Sequence, residues 1–283
     1  MTPPREVSAV EVDRRAFRRR QSARSVLLAA VSTVVVVAIV LLVLAVTPGT
    51  AVVVRTFFDP VEAVRVFPAV LAGLWVNVYV LFFAAIGVAV FATLLAVVRT
   101  LRGPVFAPLR LLAAVYTDVF RGVPVIVMIL LIGFGLPGLN PSVRYDSRLL
   151  GGVALVLTYS AYVAEVLRAG IESVHPSQRL AARSLGLGYG QTLRLIVLPQ
   201  GVRRVTPALV NDFVSMQKDV GLISILGAVD AVRAAQIQVA VTYNYTAYVV
   251  AGLFFVLLSL PFIRLTDVLE RRARARQQQG SVV

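Results

Sequence analysis

Apolar runs of about 20 residues, the length that crosses a bilayer as a helix, alternate along this chain with short polar stretches rich in arginine. Six such runs, at 26–46, 69–98, 105–136, 149–168, 205–228 and 246–266, each predict a transmembrane helix. The first is a Val/Leu/Ala run behind Arg18-Arg19-Arg20. It is too long for the apolar part of a signal peptide, and Thr47-Pro48-Gly49-Thr50 makes a poor cleavage site, so it reads as a retained anchor. The layout expected is a basic tail over 1–25, the anchor at 26–46, an external linker at 47–67, one membrane unit at 68–270 holding the other five spans, and a disordered Arg/Gln-rich tail at 271–283. No internal repeat is visible.

Composition agrees with a bilayer as solvent. Of 283 residues 58% are hydrophobic and 15% charged, with a mean hydropathy of +0.84, more apolar surface than a soluble core of this size hides. The net charge of +14 comes from 27 arginines and one lysine, and its distribution excludes nucleic acid as the partner. The arginines cluster at segment ends and in a few loops. With the N-terminus inside, the cytoplasmic tails and the loops at 99–110 and 168–204 hold 21 arginines, against five in the opposite loops. Both termini and the 168–204 loop are therefore expected in the cytoplasm. The absence of cysteine excludes disulfides, zinc-thiolate sites and cysteine nucleophiles. His175, the single histidine, reads as a solvated loop residue, and no metal site is expected. Lys218 follows Gln217 and no glycine-rich loop, so the chain has no nucleotide-binding P-loop of its own.

The cytoplasmic 168–204 loop carries the most specific pattern. Ser177 is a candidate N-cap for a helix over 177–185, Gly186 breaks it, and Gln191–Leu198 predicts a second short helix stopped by Pro199. Leu180-Ala181-Ala182, three residues, Gly186, nine residues, then Ile196-Val197-Leu198-Pro199 resembles the coupling loop of ABC-transporter permeases, over 172–199. In that family the loop is gripped by a cytoplasmic ATPase, and small alanines let the helix sit deep in the partner's cleft. The leading residue of the family's pattern is Glu; here it is Leu180, which implies a grip by packing or a sister permease that carries the acid. Phe120-Arg121-Gly122-Val123-Pro124, Tyr162-Val163-Ala164-Glu165 with Arg168-Ala169-Gly170-Ile171, Leu198-Pro199-Gln200 and Lys218-Asp219 extend the likeness to the importers of polar amino acids. Val220-Gly221 departs from the small hydroxyl residues more common there.

Charged groups inside a span need partners or water. Asn211, Ser215 and Lys218 fall on one helical face with Asp212 and Asp219 beside it, and Lys218 lies about 20 Å along the helix from Val205, near mid-membrane. Arg121 is similarly deep, and Gly122 with Pro124 points to a helix break beside it. Arg121, Glu165, Asn211, Ser215, Lys218 and Asp219 are the candidate lining of a translocation path; internal ion pairing is the alternative for the charged ones. Trp75 and Asn77 read equally as gate lining or interfacial anchors.

The resemblance implies an all-α integral membrane protein of six transmembrane helices, an N-terminal anchor plus a five-helix type I importer core, with a cytoplasmic coupling helix. It implies a permease subunit for a polar amino acid in a bacterial cytoplasmic membrane, working by alternating access beside a second permease, an ATPase dimer and an extracytoplasmic solute-binding protein. ATP and magnesium would be used by the ATPase, with no cofactor held by this chain and no covalent chemistry. The alternatives are an ABC permease for another small solute and an ion-coupled secondary transporter, which would leave the loop unexplained.

Overall fold

A computed structural model describes residues 9–101 and 103–280, and among these the chain is helical throughout, with no strand. It divides into two units, Met1–Arg55 and Thr56–Val283.

In the first unit α1 (Ala9–Val46) carries an apolar stretch, Arg24–Val46, none of which is buried. The hydroxyls of Ser32 and Thr33 return to the Ala29 carbonyl at 2.9 and 2.8 Å, so the few polar groups on this apolar rod are satisfied within it. The helix starts inside the segment expected to be the basic tail. Arg, Gln and Ala are good helix formers, and extending an existing helix needs no new nucleus. The expected tail residues 1–8 lie outside the described residues. α2 (Thr50–Phe57) follows where a linker was expected.

The second unit is built on α3 (Pro60–Thr100), 41 residues long. That is about 60 Å of helix, well beyond the hydrocarbon core. It starts nine residues before the expected span because Asp59 caps it, accepting from Val61 N at 2.9 Å, with Pro60 in the first turn where no N–H is needed. Val66, Val70, Gly73, Asn77, Leu81, Ala84, Val88, Ala92 and Leu95 form its buried seam, at the steps of three and four that keep one helix face inward.

The run at 105–136 is a broken pair: α4 (Ala107–Gly122) and α5 (Val125–Leu139) meet at 106°. Val123 is extended (φ −95°, ψ 130°), as a residue before proline prefers, and Pro124 donates no hydrogen bond. α6 (Ser147–Glu172) is central, packing against α3, α4, α5 and α9. α7 (Pro176–Ser184) and α8 (Tyr189–Thr192) form the loop, and a π-helical turn over Leu193–Val197 leads into α9 (Leu198–Asp219). α6 and α9 cross at Gly170 and Gly201, where a Cβ on either would stand 2.9 Å from the other's carbonyl oxygen.

After Asp219 the chain tightens into 3₁₀ turns (Val220–Leu226) and bends by 49° into α10 (Ala231–Thr242), a helix where the apolar pattern predicts an external loop. Its Ala231, Ala235 and Val239 pack with Val66, Val70 and Ala247. α11 (Thr246–Gly280) ends the described chain and runs through most of the expected second tail; 281–283 lie outside it. Among the described residues four helices are long and apolar enough to span a membrane, or up to six spans if each bent pair counts as one.

Candidate functional site

α7 begins on His175. Its ring Nδ1 faces the Ser177 hydroxyl at 2.7 Å and the Ser177 amide at 3.3 Å, so the histidine and not Ser177 is the cap, with Pro176 in the first turn. The far end closes as a Schellman motif. Leu187 N reaches Ala182 O at 3.2 Å, Gly186 N reaches Arg183 O at 3.0 Å, and Gly186 adopts φ +83°, a left-handed conformation that disfavours a side chain.

The motif residues divide by face. Leu180 (65% exposed), Ala181 and Gly186 are open, as is the neighbouring Leu185 (83%). Ala182 is buried inside the chain at 4%, so only one alanine of the pair is available to a partner. Ile196 and Leu198 are half-buried, while Val197 between them joins Ile171 and Val174 in a small core beneath the loop. Pro199 does not stop a helix. It sits in the first turn of α9, where its missing N–H costs nothing.

Long side chains moor the loop to the helix ends below it. Arg179 Nη2 donates to the Ile171 carbonyl at 2.5 Å, Arg204 donates to the Ser173 carbonyl, and the Tyr189 hydroxyl donates to the Thr100 carbonyl at 3.0 Å. At the same end Glu165 accepts from Arg99 at 2.6 Å and from Arg168 at 2.5 Å, and Arg99 also reaches Thr117 Oγ1 at 3.0 Å. All of Glu165's bonds go to this network, which joins α3, α4 and α6.

The other candidate path residues gather around the α4–α5 break. The Arg121 guanidinium lies 5.9 Å from the centre of the Tyr162 ring, whose hydroxyl donates to the Arg121 carbonyl at 3.1 Å. Tyr159 stands 6.0 Å from Tyr162 and donates to Asp219 Oδ2 at 2.7 Å. Asp212, within Coulombic reach of Arg121, has a buried Oδ2 with no hydrogen-bond partner. Asn211 and Lys218 are exposed and Ser215 half-buried, so the polar face of α9 is open along its length. Two carboxylates, a guanidinium, an ammonium and two phenols thus face or flank one surface that lipid cannot cover.

Two residues carry more than the sequence suggested. Asn77, fully buried, donates to Asp230 Oδ2 at 2.8 Å and accepts from Ala231 N at 3.0 Å, fastening α3 to the start of α10. Asp230 also caps α10 through Arg233 N at 2.8 Å. An aspartate directly before an apolar period of three and four was the signal for both the cap and the helix. Trp75 is 72% exposed and makes no part of this junction. Among the described residues no group of three or more acidic or histidine side chains is placed to hold a metal.

Residues 103–275 match the family described as "Binding-protein-dependent transport system inner membrane component". The arginine transport system permease protein ArtQ of Bacillus subtilis is 34% identical over 171 residues, 60% of this chain and 78% of that protein. The glutamate transport system permease protein GluC of Corynebacterium glutamicum is 33% identical over 206 residues, 69% and 89%. A crystal structure of an amino acid ABC transporter superposes with a TM-score of 0.68 at 32% identity, covering 76% of this chain and 98% of that one. The MetNI methionine ABC transporter in an inward-facing form, at 18% identity and a TM-score of 0.57, shares the fold. With the family signature spanning the broken helix pair, the moored loop and the polar face of α9, the chain belongs to the inner-membrane components of binding-protein-dependent transport systems, the permease subunits of ABC importers.

Proposed function

We propose that this chain is the membrane-spanning permease subunit of an ABC importer for a polar amino acid. The observation that carries the reading is the loop over 172–199, a capped helix closed by a left-handed Gly186 that offers Ala181 and Leu185 to a soluble partner at the arginine-rich end of the bundle. On this reading that end is cytoplasmic, both termini lie on the same side, and each bent helix pair counts as one of six spans.

An ATPase dimer seats on this loop and its copy in a second permease, using ATP and magnesium itself. An extracytoplasmic solute-binding protein delivers the solute to the opposite face. Closure of the ATPases pushes α7, and the moorings of Arg179, Arg204 and Tyr189 pass the movement to α3, α6 and α9. The solute crosses along α9, past Asn211, Ser215 and Lys218 and the Arg121–Asp212–Asp219 group, whose opposite charges suit the two ends of a zwitterion. Glu165 holds helices together and does not touch the solute. The named relatives that handle arginine and glutamate support an amino acid as cargo.

Uptake of radiolabelled polar amino acids by cells with and without the gene tests the reading. Loss of at least one uptake activity is expected on deletion, restored by the wild type and reduced at least tenfold with Asp212→Asn. Unchanged uptake of every amino acid would remove the cargo assignment.

A further inference from the structure

Between α7 and the ends of α3 and α4 lies a cavity of about 490 Å³ that belongs neither to the ATPase-facing side of the loop nor to the polar face of α9. Pro176, Arg179, Leu180 and Arg183 line it, at the i, i+3, i+4, i+7 spacing of a single helix face, so this face of α7 borders the cavity, with Leu180 still open at its rim, while Ala181 and Leu185 lie outside it. Arg99 and Arg110 line the opposite wall. Four arginines and one acid, Glu172, line the cavity; Arg99 is paired with Glu165 at 2.6 Å and Glu172 with Arg168 at 2.5 Å, which leaves Arg110, Arg179 and Arg183 without an acidic partner among the described residues.

These arginines retain unused donors. The Arg183 side chain makes no hydrogen bond or ion pair among the described residues, and the Nε of Arg179 is buried without a partner. Such a buried donor is costly unless something fills it. The rest of the wall is apolar, with Leu101, Ile171 and Val197 beside Leu180. The departure at position 180 matters here. An acid at that position would face the arginines and cancel one charge, whereas Leu180 leaves the wall cationic and greasy.

We propose that this cavity binds the phosphate headgroup of an anionic phospholipid. Cationic pockets at the cytoplasmic ends of membrane helices suit such headgroups, and arginine grips phosphate through paired donors. The apolar wall receives the glycerol and the first acyl carbons, which a free anion does not need. A bound headgroup ties Arg179 and Arg183 of the loop to Arg99 and Arg110 of the bundle. The site stands apart from the transport reading, since lipid binding is measurable without any partner.

Native mass spectrometry of the full-length chain, released from detergent with phosphatidylglycerol and phosphatidylcholine of identical acyl chains, tests this. The wild type is expected to retain phosphatidylglycerol at least fivefold over phosphatidylcholine. Leu180→Glu and Arg183→Gln, both on exposed positions, are expected to lower that ratio at least threefold, and Arg144→Gln, a charge-matched change in the loop between α5 and α6, to leave it unchanged. No preference in the wild type, or a preference undiminished in both variants, overturns the proposal. Displacement of the lipid by an equal concentration of glycerol 1-phosphate, which has no acyl chains, would also overturn it in favour of a soluble phosphate ester.

Discussion

The two ends of the Thr56–Val283 unit are held together by different chemistry. At the end carrying Asp230 the fastenings are short and buried or half-buried: Asn77 on Asp230, fully buried, with Ser147 on the Leu226 carbonyl at 2.8 Å and Asp59 N on Thr246 Oγ1 at 3.1 Å, both half-buried. At the loop end they are long arginine and tyrosine side chains that reach helix-terminal carbonyls from exposed or half-buried positions, as Arg110 does to Leu101 and Gly103 at 2.9 Å each. A buried polar contact is expensive to break because both partners lose solvation, while an exposed one is replaced by water at little cost. The first end is thus built as a fixed junction. The second combines cheap moorings with exposed leucines, as expected of a surface completed by other molecules.

Asn77→Leu breaks the fixed junction most directly. It leaves the Asp230 carboxylate and the Ala231 amide short of a partner in a dry site, and an unfolding titration in mixed detergent is expected to show a loss of about 3 kcal/mol. Gly201→Val attacks the α6–α9 crossing, where the Gly170 carbonyl oxygen already stands 2.9 Å from the position of a Cβ, and should cost about 1–3 kcal/mol in the same titration. Arg99→Met, in the half-buried network, leaves Glu165 with Arg168 alone and should cost about 1–2 kcal/mol. Tyr189→Phe removes one exposed mooring and should shift stability by no more than about 0.5–1 kcal/mol. Should Tyr189→Phe prove as damaging as Asn77→Leu, the contrast between the ends is lost.

The smallest effect concerns acid. The Arg148 guanidinium beside Asp146, the cap of α6, holds that carboxyl below its usual range through a hydrogen bond at 2.6 Å. A carboxylate whose folded pKa is depressed adds stability above its unfolded value, about 3.9, and loses it as the pH falls through the folded one. Asp146→Asn keeps the cap and drops the charge. Its deficit against the wild type should be constant from neutral pH down to about pH 5 and shrink below about pH 4. A deficit independent of pH would mean the pair contributes nothing.

Much of this was legible in the sequence. The apolar runs located long helices because burial in lipid demands length, and Gly122 with Pro124 located the break because a missing N–H and a restricted neighbour forbid a continuous helix. The loop's pattern located α7 and its Gly186 turn. What escaped depends on direction and on neighbours. Two adjacent alanines look alike in a string, yet a helix turns them 100° apart, so Ala182 is buried and Ala181 is open. Pro199 was read as a stop because a proline fits the start of a helix as well as the end of one. α10 and the first turns of α3 are too polar or too short for a span-length window, and their aspartate caps, Asp230 and Asp59, were the better signal. Glu165 and Asp212 are both acids within spans. Only the fold shows that one is paired to two arginines while the other keeps a buried oxygen free.

On the proposed function α7 is a docking surface for an ATPase. Its most direct test is affinity capture of the tagged full-length chain from its native membrane, with partners identified by mass spectrometry, in the wild type, Tyr189→Phe and Leu185→Asp. Leu185 is 83% exposed, so an aspartate there leaves the fold intact. A Walker-motif ATPase is expected with the wild type and Tyr189→Phe, and its loss with Leu185→Asp. Capture of no ATPase by a folded wild type, or equal capture by Leu185→Asp, would contradict it.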